Sequence, residues 1–154
     1  MKIPDVLIYN PRGTNLYSMV NTKENKVIGR MIAYPTINRD LYISELTILR
    51  NQREGFGTKF LDFAKLLREE LGCEGKVVLD ASTTPYDPHN PPHIFYRKNG
   101  FTSDDKKMLK KIDKYIKKGK QLDYQSTPVT RMYYPPDTPP AKPNFLQLLK
   151  NLFQ

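Results

Sequence analysis

The chain has 154 residues, 38% of them hydrophobic and 27% charged, with a formal charge of +9. That is enough apolar material for one globular domain with a real core, and it argues against a disordered chain. No apolar run approaches the ~20 residues of a membrane span, Met1–Asp5 lacks the apolar stretch of a secretory leader, and the single Cys73 forbids an internal disulfide, so a cytoplasmic protein is expected.

Four strands are expected first. Val6–Tyr9 is short and apolar, and Asn15–Val20 alternates. Lys26–Tyr34 carries Val27, Ile28, Met31 and Ile32 around Gly29, and Leu41–Leu49 carries Leu41, Ile43, Leu46, Ile48 and Leu49. Short turns such as Asn10–Gly13 and Thr22–Asn25 separate them, which favours an antiparallel meander. The period then changes. From Gly57 to Leu71, the spacing of Phe60, Leu61, Phe63, Ala64, Leu66, Leu67 and Leu71 marks one face of a helix, and Gly72 stands where helices commonly stop. Lys76–Leu79 reads as a strand, Thr83–Pro92 as a proline-bearing loop, and His93–Lys98 as a short helix closed by Gly100.

The positive charge gathers in the next segment. Eight lysines lie between Lys106 and Lys120, against three aspartates in Asp104–Lys120. Ser103–Lys118 reads as an amphipathic helix with Met108, Leu109, Ile112, Tyr115 and Ile116 on its apolar face and Ser103 as its cap. Its lysines are either a solvated face or a docking surface for an acidic partner, nucleic acid or an anionic substrate; the few aromatics nearby argue against single-strand stacking. Val129–Tyr134 is a last strand. Residues 1–134 thus form one domain, with a helical insertion at 103–120. A proline-rich spacer follows at 135–143, and a short apolar helix at 144–154 is expected to dock on its own domain or on a second copy.

The segment with most chemistry is Gln52-Arg53-Glu54-Gly55-Phe56-Gly57-Thr58, between the fourth strand and the first long helix. Backbone N–H groups at a helix N-terminus suit a phosphate or pyrophosphate, and Gly55 and Gly57 permit close approach. No Gly-Lys-Ser/Thr follows, so it is not a Walker loop; Gly-x-Gly-x-x-Gly is absent, so it is not a dinucleotide fingerprint.

Here the sequence resembles the GNAT acetyltransferases. Gln52–Gly57 fits that family's Gln/Arg-x-x-Gly-x-Gly/Ala pattern, Tyr42–Leu49 is similar to its fourth strand, and Phe95-Tyr96-Arg97-Lys98-Asn99-Gly100-Phe101 resembles its Phe-Tyr-x-x-x-Gly-Phe segment. The resemblance covers Lys26–Phe101. It implies a mixed α/β fold with a mostly antiparallel sheet flanked by helices, here with a basic helical insertion and a C-terminal helix. It implies acetyl-CoA as cosubstrate, with no metal, and an amine-bearing acceptor: a small molecule, a peptide or a protein lysine. The implied cofactor contacts are Ile48, Leu49, Gln52, Arg53, Glu54, Gly55, Phe56, Gly57, Thr58, Asn90 and Tyr96. The N–H of Ile48 or Leu49 is the expected donor to the thioester oxygen. Glu45 is the implied general base and Tyr96 the implied general acid. Without those roles Glu45 is a carboxylate at a strand edge and Tyr96 a core tyrosine.

Three departures stand out. Glu54 occupies a position where the family often has Arg, the strand-to-loop distance is one residue longer than is common, and the two helices usual between the first two strands are missing, which leaves the acceptor side open. The competing function is a non-catalytic module on the same fold that recognises an acidic partner through the lysine-rich helix. His89 and His93 lack a carboxylate or cysteine at ligand spacing, and Cys73 is not expected to act as a nucleophile.

Overall fold

The computed structural model describes residues 6–49, 55–83, 90–123 and 125–136. Six strands form one sheet in chain order: β1 (Val6–Tyr9), β2 (Leu16–Asn21), β3 (Lys26–Pro35), β4 (Leu41–Ile48), β5 (Val77–Ala81) and β6 (Thr130–Tyr134). All neighbours are antiparallel except β4 and β5, which run parallel because helix α1 (Phe56–Glu70) carries the chain back between them. Helices α2 (His93–Lys98) and α3 (Lys106–Lys118) fill the connection from β5 to β6. The proposed spacer lies largely, and the C-terminal helix wholly, outside the described residues.

The strands bury one face because their sequence alternates with period two. In β3, Gly29, Met31 and Ala33 are buried while Arg30 is exposed and Ile32 and Tyr34 are half-covered. The buried face meets α1, whose Phe60, Leu61, Ala64 and Leu67 form its apolar stripe. Gly29 is needed at that contact. A Cβ there would lie 2.7 Å from the Thr47 carbonyl oxygen and 3.1 Å from the Phe60 ring. The opposite face carries Arg30, Tyr34, Tyr42, Glu45 and Arg131, each exposed or half-buried.

Two features place the gap on which the site depends. At their starts β4 and β5 are tied: Leu41 donates to the Lys76 carbonyl at 2.8 Å, and buried Asp40 accepts the Lys76 N–H at 2.7 Å. Their pairing runs only from Leu41–Val77 to Ile43–Leu79. Just there β4 bulges. Ile32 pairs with Glu45 and Ala33 with Ile43, so Ser44 is an extra residue in the ladder. Beyond it β4 stays with β3 and parts from β5, which continues along β6 to the Ala81–Thr130 pair.

The expected caps are revised at α3. Asp105, not Ser103, is its N-cap, accepting the Met108 N–H at 3.0 Å. The Ser103 hydroxyl instead donates to the Arg131 carbonyl at 2.7 Å, which ties the segment to β6.

Asp40→Ala leaves the Lys76 N–H without its carboxylate at the closed end of the gap. Denaturant unfolding is expected to show a loss of about 1–3 kcal/mol, with Asp40→Asn losing less because its amide oxygen still accepts.

Candidate functional site

Where β4 and β5 part, the structure opens a cavity of about 570 Å³. Leu46, Thr47 and Ile48 form one wall, and Ile94, Phe95 and Tyr96 of α2 another. Gly55, Phe56, Gly57 and Thr58 bring the N-terminus of α1 to it. Gly55 is the N-cap with φ +87°, a left-handed conformation that suits glycine, and no side chain among the described residues caps the helix. The positive end of the helix and its first N–H groups therefore meet the cavity. A Cβ on Gly57 would lie 2.8 Å from the Phe95 ring, so the glycine lets α2 close against α1. Lys98 and Lys120 add two cations to the lining.

Tyr96 is 7% exposed and sits among the rings of Phe95 and Phe101, at centroid distances of 5.4 and 5.8 Å. Burial pushes its phenol well above the ordinary tyrosine range, so it holds its proton at neutral pH. Its hydroxyl has no hydrogen-bond partner among the described residues.

Of the residues expected at the site, Ile48, Gly55, Phe56, Gly57, Thr58, Asn90 and Tyr96 all line the cavity. Gln52, Arg53 and Glu54 lie outside the described residues. Leu49 does not line it, and its N–H is engaged, donating to the Ile28 carbonyl at 2.7 Å. That bond sets the alternation of the ladder, and it turns the Ile48 N–H to the side away from β3. Glu45 is exposed on the open face of the sheet, where Thr47 Oγ1 donates to its Oε1 at 3.4 Å; it is not part of the cavity wall.

Sequence reasoning missed one wall. Tyr115 and Ile116 of α3, with Gly119, Gln121 and Leu122 beyond it, also line the cavity. Their periodicity marked them as apolar-face residues, but not what that face meets. α3 is held against α2 by Arg97, whose Nε and Nη2 donate to the two carboxylate oxygens of Asp113 at 2.8 and 3.2 Å.

His93 and Cys73 take structural roles. Buried His93 has Nε2 2.9 Å from the Pro128 carbonyl and 3.2 Å from Thr130 Oγ1, and Nδ1 has no partner among the described residues. Burial raises the Cys73 thiol pKa, which makes it a poor nucleophile. No group of three or more His, Cys, Asp or Glu suited to a metal occurs among the described residues. No described helix is long and apolar enough to cross a membrane.

No protein-family model matches the chain, and no curated protein matches its sequence. Solved structures do match in three dimensions. Nourseothricin acetyltransferase superposes with a TM-score of 0.50 at 19% identity, covering 77% of this chain and 62% of that one. A Bacillus subtilis acetyltransferase in complex with CoA gives 0.50 at 14% identity, over 77% and 74%. An acetyltransferase of the GNAT family from Staphylococcus aureus Mu50 gives 0.50 at 14% identity, over 77% and 65%. The chain has the GNAT acetyltransferase fold. It spans less than two thirds of the nourseothricin enzyme's length. Within this fold the expected meander, the α1 junction and the Phe95–Phe101 segment stand in the expected order.

His93 gives a pH test. Burial lowers its pKa, outweighing the Pro128 carbonyl, which raises it. The unfolded chain therefore takes up a proton near pH ~6.5 that the folded chain still refuses. Stability is full above that pH and falls as the pH drops toward the folded value. Thermal unfolding from pH 7 to pH 5 is expected to show a declining midpoint in the wild type and a flatter profile in His93→Gln, since His89 is common to both.

Proposed function

We propose that this protein is an acetyl-CoA-dependent N-acetyltransferase acting on a primary amine. The observation that carries the proposal is the gap between β4 and β5, with the uncapped N-terminus of α1 and the buried phenol of Tyr96 both on its wall. The residues fit the cosubstrate. A largely apolar cavity suits its pantetheine arm, and the α1 N-terminus suits its pyrophosphate. Gly55, Phe56, Gly57 and Thr58 are the proposed pyrophosphate contacts, extended by Gln52, Arg53 and Glu54 of the preceding loop. Ile48 and Asn90 border the arm. The CoA complex of the Bacillus subtilis enzyme supports the same assignment by likeness of fold.

Acetyl-CoA, when bound, supplies a thioester as the activated acyl group. The chain's own residues manage protons. An aliphatic ammonium, with a pKa of ~10.4, must lose a proton before it can attack. Glu45 Oε is the proposed acceptor of that proton, directly or through a water. Its place on the open face suits an amine arriving from solvent. Tyr96 Oη, kept protonated by burial, is the proposed proton source for the leaving sulfur. No described helix covers the open face around Arg30, Tyr34 and Glu45, so a bulky acceptor has room there.

Titration calorimetry is expected to show acetyl-CoA binding, and thiol release is expected with an amine acceptor. Tyr96→Phe is expected to lower kcat by on the order of 10²-fold with little change in cosubstrate affinity. Glu45→Gln is expected to lose rate at neutral pH and to recover it as the pH approaches the amine's own pKa. Wild-type rates in both variants would remove the acid–base assignment; no acetyl-CoA binding would remove the enzyme.

A further inference from the structure

α3 is built against its own electrostatics. Lys106, Lys107, Lys110, Lys111, Lys114, Lys117 and Lys118 fall within about 140° of its circumference at ~100° per residue. Buried Met108 and Ile112 lie on the other side, packed into the domain. Lys106–Lys110, Lys107–Lys111, Lys110–Lys114 and Lys114–Lys118 are like charges one turn apart, which repel. Lys106 and Lys107 also stand in the first turn, near the positive end of the helix, and that turn itself holds no acidic residue.

Nearby carboxylates offset this arc only in part. Asp113 is taken by Arg97, Asp104 accepts the Tyr133 hydroxyl at 2.8 Å, and Asp105 caps the helix. Among the described residues none of the seven lysines makes a salt bridge. All are exposed except half-buried Lys111, whose ammonium lies 5.9 Å from the Tyr115 ring. An ordinary solvated surface mixes the two signs; this one does not. The arc also leads to the cavity, because Tyr115 and Ile116 in the last turn of the same helix and Lys120 just beyond it line it.

We propose that the lysine arc of α3 docks an acidic polypeptide and delivers an amine of that polypeptide to the adjoining cavity. The delivery half rests on acetyl transfer at that cavity; the docking half does not. Three observations select a polypeptide. The arc has no arginine, whose forked donors suit phosphates, and no aromatic ring between its lysines for bases to stack on. A membrane-surface helix would present its apolar residues beside the lysines, whereas Met108 and Ile112 are spent inside the domain. A polypeptide also carries the aliphatic amine that the chemistry requires.

The test uses the full chain and a fluorescent glutamate-rich peptide with one free α-amine. A neutral peptide of equal length, a single-stranded oligonucleotide and a duplex serve as comparisons. The acidic peptide is expected to bind more tightly than all three, and less tightly as salt rises. In a Lys106→Gln, Lys107→Gln, Lys110→Gln, Lys114→Gln variant its affinity is expected to fall at least about tenfold, and the arginine counterpart is expected to retain it. KM for the acidic peptide should rise in the glutamine variant while kcat, and KM for a small uncharged-tail amine, stay unchanged. Equal binding of neutral and acidic peptides, unchanged binding in the glutamine variant, or tighter binding of either oligonucleotide overturns the proposal. Charge-dependent peptide binding without acetylation of any amine keeps the dock and overturns delivery; that result identifies a failure of acetyl transfer separately from a failure of docking.

Discussion

β4 and β5 start side by side and part after three residue pairs, because β4 carries one residue that its ladder with β3 cannot use. Asp40 holds the two strands together at one end, and the bulge at Ser44 sends β4 away at the other. A gap between parallel strands normally closes with hydrogen bonds, since unpaired backbone is costly when buried. Here it stays open and becomes the axis of the cavity. The rest of the site follows from chain continuity. α1 comes after β4, so its N-terminus arrives at the mouth; α2 comes after β5, so Tyr96 arrives on the other wall.

The walls divide the electrostatic work. The α1 end offers backbone donors and a helix dipole, with Lys98 and Lys120 elsewhere in the lining, a setting for anionic groups. Tyr96 lies in an aromatic setting, where burial raises the energy of a phenolate and keeps the phenol intact. On the far face, Asp80 is held below the usual carboxylate range by its two hydrogen bonds from Arg131, with the Tyr42 hydroxyl donating as well. That cluster is satisfied within itself, so Glu45 is left as the exposed carboxylate of that stretch of β4.

Much of this was legible in the sequence because it rests on local periodicity. Alternation in β2 and β3 and the stripe Phe60, Leu61, Ala64, Leu67 report burial on one side, and the structure buries those sides. The α1 junction was legible because glycines mark backbone that side chains would obstruct. The cap of α3 was misread because Ser103 and Asp105 are both competent, and only β6 decides which is spared. Tyr115 and Ile116 were placed on the correct face, yet a periodic pattern does not say whether that face meets a core or a cavity. The choice between Ile48 and Leu49 stayed open in the sequence because the direction of a strand N–H depends on the register with its neighbour, and here the Leu49 N–H is engaged by Ile28. The bulge did leave a trace: the apolar residues of β4 run 41, 43, then 46, 48, a slip of one in the period of two.

That slip has a consequence for how such a protein changes over time. Without Ser44, the sequence from Leu41 to Ile48 would alternate perfectly, with every side chain on the face it occupies now. The shortened strand would be more regular and free to continue its ladder beside β5. The parting of the two strands therefore rests on a single increment of length rather than on the identity of a side chain. Deletion of Ser44 would remove the bulge and, with it, the feature that parts β4 from β5. Anyone regularising this scaffold for stability would be drawn to make it first.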